Sequence, residues 1–158
     1  MERVWAPWRM KYIEQDNSNP TCFICLKVKA VDYTKEHIVL KTEHSIATLN
    51  LYPYTQGHIL VAPKKHLNSP LLLSDDELLD LHKAVNQIIE LLKATYSPQG
   101  FNIGANLGKV AGAGLESHYH IHIVPRWQSD SNFMTTSCNT RVMNESLDKT
   151  YQRLMENA

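Results

Sequence analysis

The chain has 158 residues, 16 basic and 16 acidic side chains, and no net charge when histidine is counted neutral. That length allows one domain with a real core, and a balanced charge without a long basic run argues against a protein held to nucleic acid by its overall field. No stretch is long and apolar enough to span a membrane, Met1 to Arg9 lacks the apolar core of a signal peptide, and three cysteines are an odd count for a disulfide framework, so a reducing, cytoplasmic setting is expected.

In chain order, Trp5 to Ile13 is rich in aromatics and cations. It reads as a terminal arm packed over the core, and an aromatic in it could also face a nucleobase. Glu14 to Pro20 is a loop by composition. Cys22-Phe23-Ile24-Cys25 then sets two thiols two residues apart. Alone, that pattern fits two buried thiols, a redox pair or half of a metal site. Cys138 has no partner in sequence and reads as an ordinary thiol. Ile38 to Leu40 and Ser45 to Leu49 read as short strands, and Asn50 is a turn-former at the end of the second. His58 opens a strand running to Pro63, and Lys64 and Lys65 read as solvated.

The clearest helix follows. Ser74 and Glu77 form the capping-box pattern, with Asp75 and Asp76 where the helix dipole favours acidic groups. Leu78, Leu81, Val85, Ile88 and Leu92 recur at steps of three and four, and Ser97-Pro98 predicts the end. Phe101 to Asn106 is a strand leading into a loop that holds Gly104, Gly108, Gly112 and Gly114, four of the six glycines. Such a loop lets backbone N–H groups approach an anion.

Next comes His118-Tyr119-His120-Ile121-His122-Ile123-Val124, closed by Pro125-Arg126. Strict alternation reads as a half-buried strand. It would set three imidazoles on one face about 7 Å apart, with Tyr119, Ile121 and Ile123 in the core. Pro125 ends regular pairing or marks an edge. Three aligned imidazoles point to a metal site or to a catalytic array near neutral pH. The adjoining glycine loop favours phosphate held against a histidine nucleophile. Asn144 to Glu156 is a terminal helix with Leu147, Tyr151, Leu154 and Met155 on its apolar side. Strands, helix, then strands without repeating βαβ units predict an α+β fold: an antiparallel sheet with one long helix packed on it and a C-terminal helix.

The His-apolar-His-apolar-His run resembles the signature of the histidine triad (HIT) family of nucleotide hydrolases and transferases. Asn50 to His66 is similar to that family's ribose-binding and first core segment. Trp5 to Ile13, Arg126-Trp127 and Asn132-Phe133-Met134 resemble its bacterial branch of dinucleoside tetraphosphate phosphorylases and hydrolases. The resemblance implies an N-terminal arm over residues 1–21, a HIT domain over 22–128 and a C-terminal extension with a helix over 129–158. It implies His120 as nucleophile toward an α-phosphorus, His122 as a hydrogen-bonding partner of the phosphate, and His118 as the third catalytic-triad member. It implies Asn50 on the ribose, and Asn106, Gly112, Ala113 and Gly114 at the phosphate. His58 would orient the triad without touching substrate. Cys22, Cys25, His66 and His118 would bind a structural zinc, with no organic cofactor. The expected substrate is a nucleotide or dinucleoside polyphosphate, and the expected assembly is a homodimer. A phosphoramidate or adenylyl-conjugate hydrolase, and a zinc-stabilised nucleotide-binding signalling protein without turnover, are the other readings.

Overall fold

The computed structural model describes residues 22–128, 130, 137 and 142–158. The arm over 1–21, Cys138 and the Asn132-Phe133-Met134 segment lie outside the described residues. Strands β1 (Ile38–Lys41), β2 (Ser45–Leu49), β3 (Ile59–Pro63), β4 (Gly100–Gly104) and β5 (Ile121–Arg126) form one sheet in the order β1-β2-β3-β5-β4. Every neighbouring pair is antiparallel. Helices α1 (Phe23–Lys29), α2 (Asp75–Tyr96) and α3 (Leu147–Met155) complete the α+β architecture.

The two sheet faces are filled differently. Ala47, Leu49, Ile59, Val61, Ile121 and Ile123 face α2, which buries Leu81, Ala84, Val85, Ile88 and Leu92 against them. Those α2 positions recur at three and four, so they form one stripe. Both reciprocal bonds of the capping box are present at Ser74 and Glu77, and the helix stops at Ser97, left-handed at φ 46° just before Pro98. Helix α3 adds Tyr151 and Leu154 to the same core. It starts at Leu147 with Ser146 as cap, three residues later than the apolar pattern predicts. The Ser146 hydroxyl accepts the Lys149 N–H and so sets the start.

On the opposite face, α1 covers only the β1-β2-β3 side, through Ile24 packed with Ile38, Ile46 and Ala62. The sequence reading took this segment only as a thiol pair and missed the helix. At seven residues it is too short for a periodic signal, and a lysine stands on its buried side. Lys27 is buried, its ammonium donating to the Glu36 carbonyl and lying 3.6 Å from the Glu36 carboxylate. Burial lowers its pKa, while Glu36 opposes that shift. Of the two lysines read as solvated, Lys64 instead donates to the carbonyls of Thr42 and Glu43, whereas Lys65 does face solvent, 3.6 Å from Glu77. The rest of this face, over β5 and β4, carries no helix among the described residues.

Candidate active site and metal cluster

The histidine run is not a strand throughout. The ladder begins at Ile121, so His122 is a strand residue while His118 and His120 lie in its approach. Strand β3 pairs with β5 only as far as Val61 with Ile121, and the Tyr119 N–H donates instead to the Leu67 carbonyl at 2.6 Å. This bend replaces the evenly spaced row of rings expected from alternation. The His120 and His122 rings sit 5.0 Å apart. His118 turns toward His66, with ring centroids 5.1 Å apart. Pro125 lies within β5, opposite Phe101. Its carbonyl accepts the Thr55 hydroxyl at 2.9 Å, on the side where β3 has stopped pairing, so its missing N–H leaves no gap in the ladder.

Partners with only one possible role fix the ring nitrogens. The His120 Nδ1–H donates to the His118 carbonyl at 2.8 Å, which leaves the Nε2 lone pair of His120 uncommitted to that bond. The Tyr54 N–H donates to His58 Nδ1 at 3.1 Å, and the Asn50 amide nitrogen lies 3.2 Å from the same atom. His58 must therefore carry its proton on Nε2, which donates to His122 Nδ1 at 3.0 Å. His122 in turn carries its proton on Nε2. Burial, followed by the charges of His122 and His120, lowers the His58 pKa to about 3. Burial and His120 lower that of His122 to about 4. Both rings are neutral at pH 7, so His122 offers an N–H donor on a ring whose centroid lies 5.0 Å from that of His120.

Asn50 bonds at both ends of its amide: Oδ1 accepts the Tyr52 N–H at 2.9 Å while Nδ2 faces His58. Asn106 donates from Nδ2 to the Gly112 carbonyl at 3.3 Å. The Gly112 and Ala113 N–H groups donate to the carbonyls of Lys109 and Gly108, so in this conformation they close the glycine loop on itself. Gly112 has φ 91°, a left-handed conformation that a side chain would strain. Gly114 continues the same loop.

Cys22, Cys25, His66 and His118 gather on the α1 side, with one potential ligand atom from each within 4.8 Å of every other. The Cys22 Sγ and Cys25 Sγ atoms lie 3.2 and 3.6 Å from His118 Nδ1, and Cys25 Sγ lies 3.2 Å from His66 Nδ1. Sulfur and nitrogen ligands on a tetrahedral zinc stand about 3.6 Å apart given the usual bond lengths, so the donor set and its spacing fit that ion. The His118 Nε2–H donates to the Pro63 carbonyl at 2.8 Å, which aims Nδ1 at the thiols, as a metal-binding imidazole requires. Burial, then the Cys22 sulfur, raises the Cys25 pKa, so a pair of thiolates here needs a cation between them.

A family model described as HIT domain matches residues 32–129, which include β1 to β5 and α2. The chain belongs to the HIT family. An AP-4-A phosphorylase of Mycobacterium tuberculosis is 32% identical over 161 aligned positions, covering 98% of this chain and 83% of that protein. A HIT-like protein of Methanocaldococcus jannaschii is 36% identical over 117 positions, covering 74% of this chain and 87% of its own length. Among solved structures, a histidine triad nucleotide-binding protein of Sulfolobus tokodaii superposes with TM-score 0.65 at 30% identity, over 86% of this chain and 93% of that one. A Zn-bound histidine triad protein of Mycobacterium smegmatis superposes with TM-score 0.70 at 22% identity, over 87% and 92%. At that identity it speaks for the fold.

Two groups on the open face received no site role from the sequence, although Arg126 belongs to the Arg126-Trp127 likeness. The Tyr54 ring stacks on His122, with centroids 5.9 Å apart and planes 13° from parallel. The Arg126 guanidinium is held by Asp130 at 2.5 and 2.9 Å and donates to Asn102 Oδ1 at 2.6 Å. Tyr54 lies in a loop whose sequence carries no periodicity. The partners of Arg126 come from another strand and a turn, so its neighbourhood is a product of topology.

Proposed function

We propose that the chain is a nucleotidyl-transferring enzyme that cleaves dinucleoside polyphosphates at the α-phosphorus. The observation carrying this reading is the tautomer of His120, anchored at Nδ1 and presenting Nε2 beside the His122 N–H. The likeness to an AP-4-A phosphorylase over 98% of the chain supports the substrate class. The Nε2 lone pair of His120 attacks the α-phosphorus and the bond to the bridging oxygen breaks. The other nucleotide leaves with that electron pair, and a nucleotidyl-histidine remains. His122 donates a hydrogen bond from Nε2–H to a phosphoryl oxygen as charge shifts. An oxygen of inorganic phosphate or of water then attacks phosphorus, the P–N bond breaks with its electron pair returning to His120 Nε2, and the proton of an attacking water passes to solvent. His58 holds His122 in the donor tautomer. Asn50 contacts the ribose, while Asn106 and the Gly112 to Gly114 loop approach the phosphate once the loop opens its own hydrogen bonds.

A zinc ion on Cys22, Cys25, His66 and His118 would supply a structural tie between α1, the segment after β3 and the approach to β5, with no part in bond cleavage. Two copies of the chain would pair through β4, an edge of the described sheet, where Ile103 is exposed, as is Leu107 in the loop that follows.

Product analysis on diadenosine tetraphosphate, with and without inorganic phosphate, tests the reaction. ADP plus ATP appearing only with phosphate is the expected result and identifies a phosphorylase. AMP plus ATP without phosphate identifies a hydrolase using the same intermediate. Two ADP would place attack at the β-phosphorus and contradict the assigned bond. Turnover of adenylyl conjugates alone would assign the second enzymatic reading.

A further inference from the structure

The proposed reaction puts one nucleoside beside Asn50 and needs a place for the other. We infer that Tyr54 and Arg126 hold the nucleoside of the leaving nucleotide, so that the site selects substrates with a base at both ends. This inference rests on the function proposed above.

The argument starts from which side chains share a face. On β5, His122, Val124 and Arg126 alternate onto one side, and their β4 partners are Gly104, Asn102 and Gly100. This is the half of the sheet that α1 leaves open. Gly104, opposite His122, has no side chain, and a Cβ there would meet nothing within 4 Å among the described residues. Among those residues the floor beside the histidine is therefore bare. Asn102 is exposed and Val124 is buried beneath the row. Rows two residues apart on a strand are separated by about 7 Å, a span that a chain of phosphates crosses readily. The bond from Arg126 to Asn102 leans the guanidinium back by one row toward His122.

Each flanking group offers a flat surface. Tyr54 is 51% exposed, and its position is fixed from both sides: its N–H is bound by His58, and the adjacent Thr55 hydroxyl by the Pro125 carbonyl. One of its faces lies along His122. Arg126 is paired in its own plane by Asp130 and Asn102, which neutralises its charge and leaves the broad faces of a rigid guanidinium for stacking. A phosphate would meet Asp130 as well as Arg126, so the pair suits a neutral planar ring better than an anion. Bases stack on tyrosine and on arginine planes in this way.

Binding to a chain carrying His120→Asn, which cannot form the intermediate, tests the inference apart from turnover. Affinities are measured by calorimetry for diadenosine tetraphosphate and for adenosine 5′-tetraphosphate, which has the same phosphates and lacks the second nucleoside. The expected result is about tenfold tighter binding of the dinucleoside compound, the scale of one stacked base. That ratio should fall toward one when Tyr54→Ala or Arg126→Met is added, and return with Tyr54→Phe. A purely structural role would weaken both ligands in proportion and keep the ratio. An unchanged ratio, or equal affinities in the starting chain, overturns the inference even if product analysis upholds the reaction. Equal weakening of both ligands by Arg126→Met would reassign Arg126 to the phosphates and overturn its part.

Discussion

His118 and His120 stand two residues apart, and each is anchored to a backbone carbonyl through one ring nitrogen. In His118 the anchored atom is Nε2, bound to Pro63, and Nδ1 faces two thiols and a second imidazole. In His120 the anchored atom is Nδ1, bound to His118 itself, and Nε2 is the outward atom beside His122. On the function proposed above, one residue type would thus serve a metal cluster at one end and a phosphoryl site at the other. Which nitrogen the backbone holds decides between them. The bend at Tyr119 makes the division possible, since a regular strand would have set all three rings on one side.

Several substitutions would break or sharpen this contrast. His120→Ala removes the proposed nucleophile and leaves the Cys/His cluster intact, so kcat for diadenosine tetraphosphate should fall by roughly four or more powers of ten with little change in melting temperature. His66→Ala and Cys25→Ser act at the other end. They should abolish stoichiometric zinc in metal analysis and lower the melting temperature by about 10 °C or more, because a structural site contributes folding free energy directly. Chelation of the parent protein should do the same. If chelation stopped turnover at once while the fold persisted, the ion would belong to the chemistry and the contrast would fail.

A smaller effect concerns pH. His58 and His122 have folded pKa values of about 3 and about 4, below the ordinary value near 6.5 for an unfolded chain. Below about pH 6.5 the unfolded state takes up protons that the folded state refuses. Their stabilising contribution is therefore complete above that pH and is lost as pH falls toward about 4 and then 3. Melting temperature followed from pH 7 to pH 4 should decline, and the decline should be shallower in His58→Gln. An equal slope in both proteins would remove His58 from the account. The smallest effect is Ser74→Ala, which deletes the side-chain cap of α2 and should cost about 1 kcal/mol, read as a shift of a few degrees with unchanged kcat.

Much of this was legible in the residues. The capping box, the stripe of α2 and the order of strands gave the α+β sheet with a long helix and a terminal one, because each rests on local spacing. The four potential zinc ligands were nameable from family likeness and they do converge. The thiol pair alone left three meanings open, since it says nothing of residues 41 and 93 positions away. Helix α1 was hidden by its length and by Lys27 on its buried side. The division of labour within the histidine run was hidden because alternation predicts one face, while the bend comes from a bond between Tyr119 and Leu67, distant in sequence. The glycines were expected to offer N–H groups to an anion. At Gly112 and Ala113 those groups bond carbonyls within the loop, a local choice that composition does not specify. Arg126 was legible only as part of a family likeness and Tyr54 was given no role, because their meaning depends on which strands lie side by side.

The measurement that bears most directly on the assignment of the two histidines is mass spectrometry of protein quenched under alkaline conditions during turnover of diadenosine tetraphosphate, followed by peptide mapping. The account predicts an adenylyl group on His120, acid-labile as a phosphorus–nitrogen bond should be, and none in His120→Ala. Adenylylation of His118 or His122, or continued turnover by His120→Ala, would contradict it.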